Sequence, residues 1–153
     1  MIEIGQPAPD FTARTTDGKT ISLGDYRGTY LVLYFYPKAF TPGCTRQAVR
    51  FRDSYPDIKA LGAEVIGVST DDHQTQCDFA AKYTVSFPMI GDRTQAISRA
   101  YQVLGKILPG DRRITFIIDP NGTVVERYES MFQISKHLDK VLEFLRAHQP
   151  AKG

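Results

Sequence analysis

The chain alternates short apolar runs with longer segments in which apolar residues recur at helical spacing. Residues 30–36 and 63–69 are largely apolar runs, rich in aromatic or β-branched residues. Each has the length of a strand that is buried on both faces. The clearest helical period lies near the C-terminus, where five apolar residues fall on one helix face: Ile134, Leu138, Val141, Leu142 and Leu145.

Between these segments the pattern predicts further helices and strands. We expect helices over residues 42–61, about 71–83 and 94–101, and a short strand over 87–90. Pro56 lies within the first of these helices. Because a proline removes a backbone donor and clashes with the preceding turn, an interruption of that helix near Pro56 is expected.

Two turn signals predict β-hairpins, one near each end of the chain. Asp17-Gly18 joins two short stretches, and Asp119–Gly122 joins strand candidates at 114–118 and 123–128. An Asp-Gly pair suits a tight hairpin, since both central residues can take positive φ. The predicted order is a hairpin, βαβαβα, a second hairpin and a helix. This is an α/β, thioredoxin-like fold: a central mixed sheet flanked by helices, with an added N-terminal hairpin, in a single domain over 1–153.

Charge and length exclude several classes of function. The 153 residues carry 19 Lys+Arg against 17 Asp+Glu, a net charge of +2, and the basic residues are scattered. We therefore expect neither a nucleic-acid partner nor a membrane surface. No apolar run reaches the roughly 20 residues of a membrane helix, and residues 1–10 lack the pattern of a signal peptide.

The cysteine count limits the kinds of site and the cellular compartment that we expect. Only Cys44 and Cys77 occur, which excludes a disulfide scaffold and leaves no ligand pairs at the spacing of a structural zinc site. We expect no metal, and a reducing cytoplasm in which a cysteine is free to do chemistry.

The candidate chemistry lies where the first buried strand ends. A loop that begins at Pro37 leads to a helix whose expected N-cap is Thr41, with proline at the first helical position. Cys44 then lies in the first helical turn, where backbone N–H groups lack helical partners. Ligands tend to bind at this end of a strand in an α/β sheet.

The helix start alone does not ionise such a thiol. A free cysteine with a pKa of about 8.5 is only about 3% thiolate at pH 7, and a mostly ionised one needs a shift worth about 3.4 kcal/mol. A helix N-terminus supplies about 0.3–1 kcal/mol, and at most about 2. A cation or a second donor is therefore expected near Cys44, and the Thr41 hydroxyl is one candidate. The alternative is that Cys44 is an inert buried thiol.

The same residues resemble a known family. The pattern Pro37-x-x-x-Thr41-x-x-Cys44 is similar to the active-site motif of peroxiredoxins, and residues 36–45 resemble the peroxiredoxin Q, or bacterioferritin-comigratory, subfamily. The resemblance covers nearly the whole chain, with further matches at Gly5–Phe11, Val68–Asp71, Phe87-Pro88 and Arg113–Asp119.

The resemblance implies a role for each residue of the motif. Cys44 would be the peroxidatic nucleophile, Thr41 would hydrogen-bond the peroxide and the thiolate, and Pro37 would shield the sulfur from bulk water. Arg113 matches the family's arginine just before a strand and would supply the missing cation. We expect Arg112 at the surface, because neighbouring side chains on an extended segment point in opposite directions.

The implied reaction is thiol chemistry and requires no cofactor. The Cys44 thiolate attacks one oxygen of hydrogen peroxide or an alkyl hydroperoxide, water or an alcohol leaves, and a sulfenic acid remains. A second thiol must then resolve this acid, with thioredoxin or another thiol reductant completing the cycle.

Cys77 is our hypothesis for the resolving thiol. Many subfamily members carry a second cysteine five residues after the first, but Val49 stands there. Others carry it in the helix after the next strand, where Cys77 lies one turn before the usual position, Ala80. Residues three apart share a helix face, so Cys77 could point towards the active-site region, although local unwinding would be needed to bond it to Cys44. The alternative is a half-buried helix cysteine, with an external thiol such as glutathione resolving Cys44.

Other classes of protein also use a reactive cysteine. A thiol–disulfide oxidoreductase would need a Cys-x-x-Cys motif, which is absent. A cysteine hydrolase would need a general-base histidine, but His73, His137 and His148 lie in no recognisable motif, and we expect the last two to be exposed. A redox sensor or holdase chaperone could use the same Cys44 with poor turnover.

Two further expectations concern the surroundings of the thiol and the assembly. Tyr36 and Phe40 are candidates for an apolar collar that favours organic hydroperoxides, with ordinary packing as the alternative. The subfamily resemblance suggests a monomer.

Overall fold

The computed structural model describes residues 2–149 as an α/β structure. Its strands are β1 (Thr12–Arg14), β2 (Thr20–Ser22), β3 (Tyr30–Phe35), β4 (Ala63–Ser69), β5 (Met89–Gly91), β6 (Ile114–Ile118) and β7 (Val124–Glu129). Its helices are α1 (Pro42–Ala60), α2 (His73–Lys82), α3 (Ala96–Ala100) and α4 (Ile134–Ala147), with a short 3-10 helix at Leu23–Tyr26.

The strands form a five-stranded mixed sheet and a separate hairpin. The sheet has the order β5-β4-β3-β6-β7, in which β5, β4 and β3 are parallel, β6 runs antiparallel to β3, and β7 runs antiparallel to β6. The separate hairpin pairs β1 with β2. The predicted thioredoxin-like architecture with an added N-terminal hairpin is confirmed.

The central strand β3 separates two apolar cores. Val32 and Tyr34 face a core built with α1, α2 and α4, while Leu31, Leu33 and Phe35 face a core built with the hairpin and α3. Successive side chains of a strand point to opposite faces, so a strand covered on both sides must be apolar throughout. This explains the uninterrupted apolar run at residues 30–36.

Helix α1 continues through Pro56, so the predicted interruption is wrong. The proline removes one backbone hydrogen bond from the helix. Phe51 and Ile58 lie on either side of it, and both are fully buried against the sheet. Packing of both halves therefore keeps the helix in one piece, as tertiary contacts commonly override local propensity.

The two hairpin turns are longer than the predicted tight turns. Residues 15–19 connect β1 to β2, and only Gly18 of the Asp-Gly pair has a positive φ, +81°. Between β6 and β7, the side chain of Asp119 accepts hydrogen bonds from the backbone N–H groups of Asn121 and Thr123. An aspartate that caps its own turn in this way replaces the need for two residues with positive φ.

The remaining helix starts follow local chemistry. Asp72 is the N-cap of α2, since its carboxylate accepts from the backbone N–H of Thr75 at 2.7 Å. Helix α3 is shorter than expected because Gln95, in left-handed conformation with φ +64°, precedes its first residue. No helix within residues 2–149 combines the length and the apolar composition needed to cross a membrane.

Asp111, just before β6, is a carboxyl group held inside the protein. It is 2% exposed, and the carboxylate of Asp92 is near enough to repel a negative charge on it. Burial, with the neighbouring carboxylates of Asp92 and Asp71, raises the pKa of Asp111 to about 7. Ionising Asp111 at neutral pH therefore lowers the free energy of unfolding.

Replacing Asp111 by asparagine should stabilise the protein by an amount that grows between pH 4 and pH 7. In that range the unfolded Asp111, with an ordinary pKa of 3.8, has lost its proton while the folded one retains it, so wild-type stability falls as the pH rises. The gain should reach about 2–4 kcal/mol near pH 8. Denaturant unfolding of both proteins at about pH 4 and pH 8 measures it. The matched variant Asp57→Asn, at an exposed carboxyl, should show no such growth, and an equal gain at both pH values for Asp111→Asn would contradict the assignment.

Candidate active site

Cys44 lies in the first turn of α1, directly after the loop that follows β3. Thr41 occupies the N-cap position, and Pro42 is the first helical residue. The thiol side chain is only 2% exposed and belongs to the core beneath α1. The fold therefore places a nucleophilic atom at a helix N-terminus and excludes most water from it.

Arg113 reaches Cys44 from the start of β6. Its Nη2 lies 3.5 Å from the Cys44 Sγ, and the arginine is itself 4% exposed. Glycine at position 43 leaves room for this approach, because a Cβ there would lie 3.2 Å from Nη2 and the guanidinium would have to shift. The structure thus brings together the cysteine and the cation that the sequence singled out.

Two further acceptors hold the guanidinium in place. Its Nη1 donates to the side-chain oxygen Oε1 of Gln47 at 2.6 Å, and its Nε donates to the backbone carbonyl of Met131 at 3.0 Å. Sequence reasoning missed Gln47, although it lies three residues after Cys44 and so shares its helix face. The Met131 contact uses the backbone, and no side-chain pattern could have indicated it.

Arg112 points away from the thiol, as the alternation of side chains predicts. Its Nη1 lies 3.2 Å from the carboxylate of Glu129, and its Nη2 donates to the backbone carbonyl of Gln102. The side chain is about one quarter exposed and forms an ion pair, so it is less exposed than the surface position that we expected.

The hydroxyl of Thr41 faces the loop in this structure. It donates to the carbonyl of Lys38 at 2.7 Å, and neither caps the helix nor bonds the thiol. The expected hydrogen bond from Thr41 to Cys44 is therefore not formed here, because the nearer Lys38 carbonyl takes its only proton. The oxygen of this hydroxyl keeps lone pairs that can accept from an incoming donor.

Pro37 is half-buried beside the segment that precedes β6. An added Cβ at Gly110 would lie 2.6 Å from the Pro37 carbonyl oxygen, and Gly110 has φ +88°. Only glycine tolerates both conditions, so Gly110 lets residues 105–110 lie directly against the loop that leads to Cys44.

A depression of about 340 Å³ opens next to Pro37. Apolar side chains dominate its lining, among them Ile107, Leu108, Pro109 and Met131. Leu108 is 67% exposed and Ile107 is 95% exposed. An open apolar surface next to Pro37, in the loop that leads to Cys44, can hold the hydrocarbon part of a substrate.

Tyr36 and Phe40 do not form a collar together. Tyr36 is buried and donates its hydroxyl proton to the side chain of Gln76, so it is a packing residue. Phe40 is 43% exposed with φ +68°, and it packs edge-on against Phe79 at a centroid distance of 5.2 Å.

Cys77 lies on α2 and is not joined to Cys44; both thiols are free. Its side chain is half-buried and lines a surface depression with Thr16 and Asp17 of the hairpin turn. The Sγ lies 3.4 Å from Nε2 of His73, one turn earlier. The structure therefore turns Cys77 towards the N-terminal hairpin, whereas we expected it to face the active-site region.

His137 on the last helix and His148 just after it differ in exposure. His148 is exposed, as expected, and stacks on Phe144 at a centroid distance of 3.9 Å. His137 is fully buried, so the expectation of an exposed side chain is wrong. Burial lowers the pKa of His137 to about 4, and the imidazole is neutral at physiological pH. Among the residues that the structure describes, no three Asp, Glu, His or Cys side chains converge to hold a metal.

Comparisons with known proteins agree with this geometry. The AhpC/TSA family pattern matches residues 4–127. The chain is 46% identical to the chloroplastic peroxiredoxin Q of Arabidopsis thaliana over 94% of its length, and spans 67% of that relative. Peroxidoxin BcpB of Mycobacterium tuberculosis superposes with a TM-score of 0.91 at 30% identity, covering 98% of this chain and 100% of the other. The bacterioferritin comigratory protein of Xanthomonas campestris gives 0.84 at 31%, covering 97% and 98%.

The class of protein indicated by this site is a thiol-dependent peroxidase. Such a protein has a buried cysteine at a helix start, a guanidinium in contact with the sulfur and a thioredoxin-like sheet. The chain belongs to the AhpC/TSA family, and its relatives within that family include peroxiredoxin Q proteins. It shares their thiol-dependent peroxidase function.

Replacing Arg113 by alanine should slow the oxidation of Cys44 by hydrogen peroxide about 10²–10³-fold. The variant removes the donor that faces both the thiolate and the charge developing on the peroxide oxygens, and loss of one such donor costs about that much. Stopped-flow measurement of the second-order rate constant tests this. The neighbouring variant Arg112→Ala is the matched control and should stay close to wild type. An unchanged rate in Arg113→Ala would show that another group stabilises the thiolate.

Proposed function

We propose that the chain reduces hydrogen peroxide and organic hydroperoxides at Cys44, and that a thioredoxin-type protein restores it through Cys77. The observation that carries the proposal is the contact of Arg113 Nη2 with the Cys44 sulfur at 3.5 Å inside a buried site. A cation in that position favours the ionised thiol, which is the attacking species.

Each group of the site has a defined part in the proposed first step. The Cys44 thiolate attacks the nearer peroxide oxygen and the O–O bond breaks. The far oxygen takes up a proton equivalent to the one that Cys44 released on ionising, and leaves as water or an alcohol. Arg113 stabilises the charge that moves from the sulfur to the leaving oxygen. Thr41 can turn its hydroxyl from the Lys38 carbonyl to the peroxide, while Pro37 keeps bulk water from the sulfur. Cys44 is left as a sulfenic acid.

Recycling requires Cys77 to meet Cys44. Attack of the Cys77 thiolate on the sulfenic sulfur forms a disulfide and releases water, and a thioredoxin dithiol then reduces the disulfide by exchange. Cys77 faces the hairpin turn in the reduced structure, so the first turns of α1 or the short helix α2 must unwind locally. The ten residues of α2 and the half-buried position of Cys77 are consistent with such an opening.

A one-cysteine cycle is the second candidate, and the orientation of Cys77 favours it. In that case an external thiol attacks the Cys44 sulfenic acid, and Cys77 serves only to pack α2 against the hairpin. A redox sensor or holdase with the same Cys44 would consume peroxide without sustained turnover.

The apolar depression beside Pro37 supports organic hydroperoxides as a substrate class. Alkyl peroxide reduction activity is described for the Xanthomonas campestris bacterioferritin comigratory protein, which shares the fold. We further propose that the chain works as a monomer in a reducing cytoplasm, without a nucleic-acid or membrane partner.

The intact mass of the reduced protein after one equivalent of hydrogen peroxide separates the two cycles. We expect a loss of two hydrogens and a peptide that links Cys44 to Cys77. The variant Cys77→Ser should instead gain oxygen on Cys44, and Cys44→Ser should not react rapidly. Gain of oxygen on Cys44 in the wild-type protein, without a linked peptide, would establish the one-cysteine cycle. Steady-state peroxide consumption with a thioredoxin system then distinguishes an enzyme from a sensor.

Replacing Leu108 by serine should reduce kcat/KM for cumene hydroperoxide by about three- to tenfold and leave the value for hydrogen peroxide unchanged. The aromatic substrate would bury apolar area against Leu108, whereas hydrogen peroxide has none to bury. Parallel assays with the two peroxides measure the difference. Ile4→Ser is the matched control, because Ile4 is 56% exposed and does not line the depression. Equal losses for both peroxides would remove the depression from the substrate site.

A further inference from the structure

His137 connects α4 to two segments that converge on the active site. Its Nδ1 lies 2.8 Å from the Thr115 hydroxyl on β6, and its Nε2 lies 2.8 Å from the carbonyl oxygen of Ser130, just after β7. A carbonyl can only accept, so Nε2 carries the hydrogen and Nδ1 accepts the proton of Thr115. The two partners therefore fix both the tautomer and the plane of a neutral imidazole.

The segment that His137 holds is the one that holds Arg113. The backbone N–H of Ser130 donates to the Arg113 carbonyl at 3.2 Å, and the carbonyl of Met131 accepts from Arg113 Nε at 3.0 Å. Residues 130–131 thus contact both the backbone and the side chain of the arginine. The imidazole fixes the Ser130 carbonyl, one peptide unit before the acceptor that sets the direction of the guanidinium.

We propose that His137 is a positioning residue for the peroxidase reaction, which holds the turn at residues 130–131 so that Arg113 points at Cys44. The guanidinium is planar, so with Nε held by the Met131 carbonyl and Nη1 held by Gln47 the direction of Nη2 towards the sulfur is fixed. His137 does not touch the reacting atoms. It acts through Arg113, and so this role rests on the function proposed above for Arg113.

Three variants separate the hydrogen bonds of His137 from its role as a buried side chain. His137→Leu removes both hydrogen bonds and keeps an apolar side chain of similar bulk. His137→Gln keeps a side-chain N–H that can donate to Ser130. Thr115→Val removes only the donor to Nδ1 and keeps the shape of the side chain.

The expected results follow the order of these contacts. In His137→Leu the second-order rate of Cys44 oxidation should fall roughly ten- to a hundredfold, since a displacement of about 1 Å in a catalytic group has that effect. Thr115→Val should give a smaller change in the same direction, and His137→Gln should recover most of the rate.

A double-mutant cycle with Arg113→Ala identifies the route. If His137 acts through Arg113, His137→Leu should cause no further loss of rate in the Arg113→Ala background. Leu145→Ala is the matched control for stability, because Leu145 is a buried residue of the same helix; it should lower the melting temperature and leave the rate unchanged.

Three results would overturn the role of His137. They are a wild-type rate in His137→Leu, an equal loss of rate in the presence and absence of Arg113, and a loss in Leu145→Ala as large as in His137→Leu. A wild-type rate in Arg113→Ala would instead overturn the proposed function of the arginine, and the role of His137 with it. If His137→Leu does not fold, Thr115→Val and His137→Gln give the same comparison.

Discussion

The contact between the Arg113 guanidinium and the buried Cys44 sulfur is the constraint on which the site depends. A thiolate removed from water is costly unless a positive charge or several donors lie beside it. The helix start supplies only part of this stabilisation. The pairing of β6 with β3 places the Arg113 guanidinium next to the Cys44 sulfur, where it adds the stabilisation of the thiolate that the helix start does not supply. The sheet thus holds the cation, and the helix that packs on the sheet holds the nucleophile.

The arginine must in turn be satisfied, because a buried guanidinium without partners would itself be destabilising. Its acceptors come from separate parts of the fold: Gln47 on α1 and the Met131 carbonyl between β7 and α4. Few rotations of the side chain can satisfy both and still reach the sulfur. The direction of the guanidinium therefore depends on how α1 and the segment before α4 pack against the sheet, as well as on the contact between Arg113 and Cys44.

Sequence reasoning predicted the order of the elements along the chain and the helix start at Cys44, because both follow from local patterns of residues. The choice of Arg113 over Arg112 came from the resemblance to the peroxiredoxin family, and the alternation of side chains added that only one of the two faces the site. Sequence reasoning did not predict the continuity of α1, the burial of His137 or the direction of Cys77. Pro56 is tolerated because residues on either side of it pack on the sheet, and the buried His137 is hydrogen-bonded to Thr115 of strand β6. The Thr41 hydroxyl pairs with a loop carbonyl whose position depends on the loop conformation. These features are set by contacts between distant segments, for which a single sequence carries no local pattern.

Pro56 has a consequence for how α1 comes apart. A proline nitrogen has no hydrogen to donate, so the ladder of helical hydrogen bonds lacks one rung between the turn that carries Cys44 and the turn that anchors Ile58 in the core. Cooperativity along a helix is transmitted by consecutive rungs. Fraying that begins at Pro42 therefore meets a natural stopping point inside the helix. At Pro56 the segment of α1 that carries Cys44 and the segment that anchors Ile58 are therefore held together by packing on the sheet and not by a helical hydrogen bond.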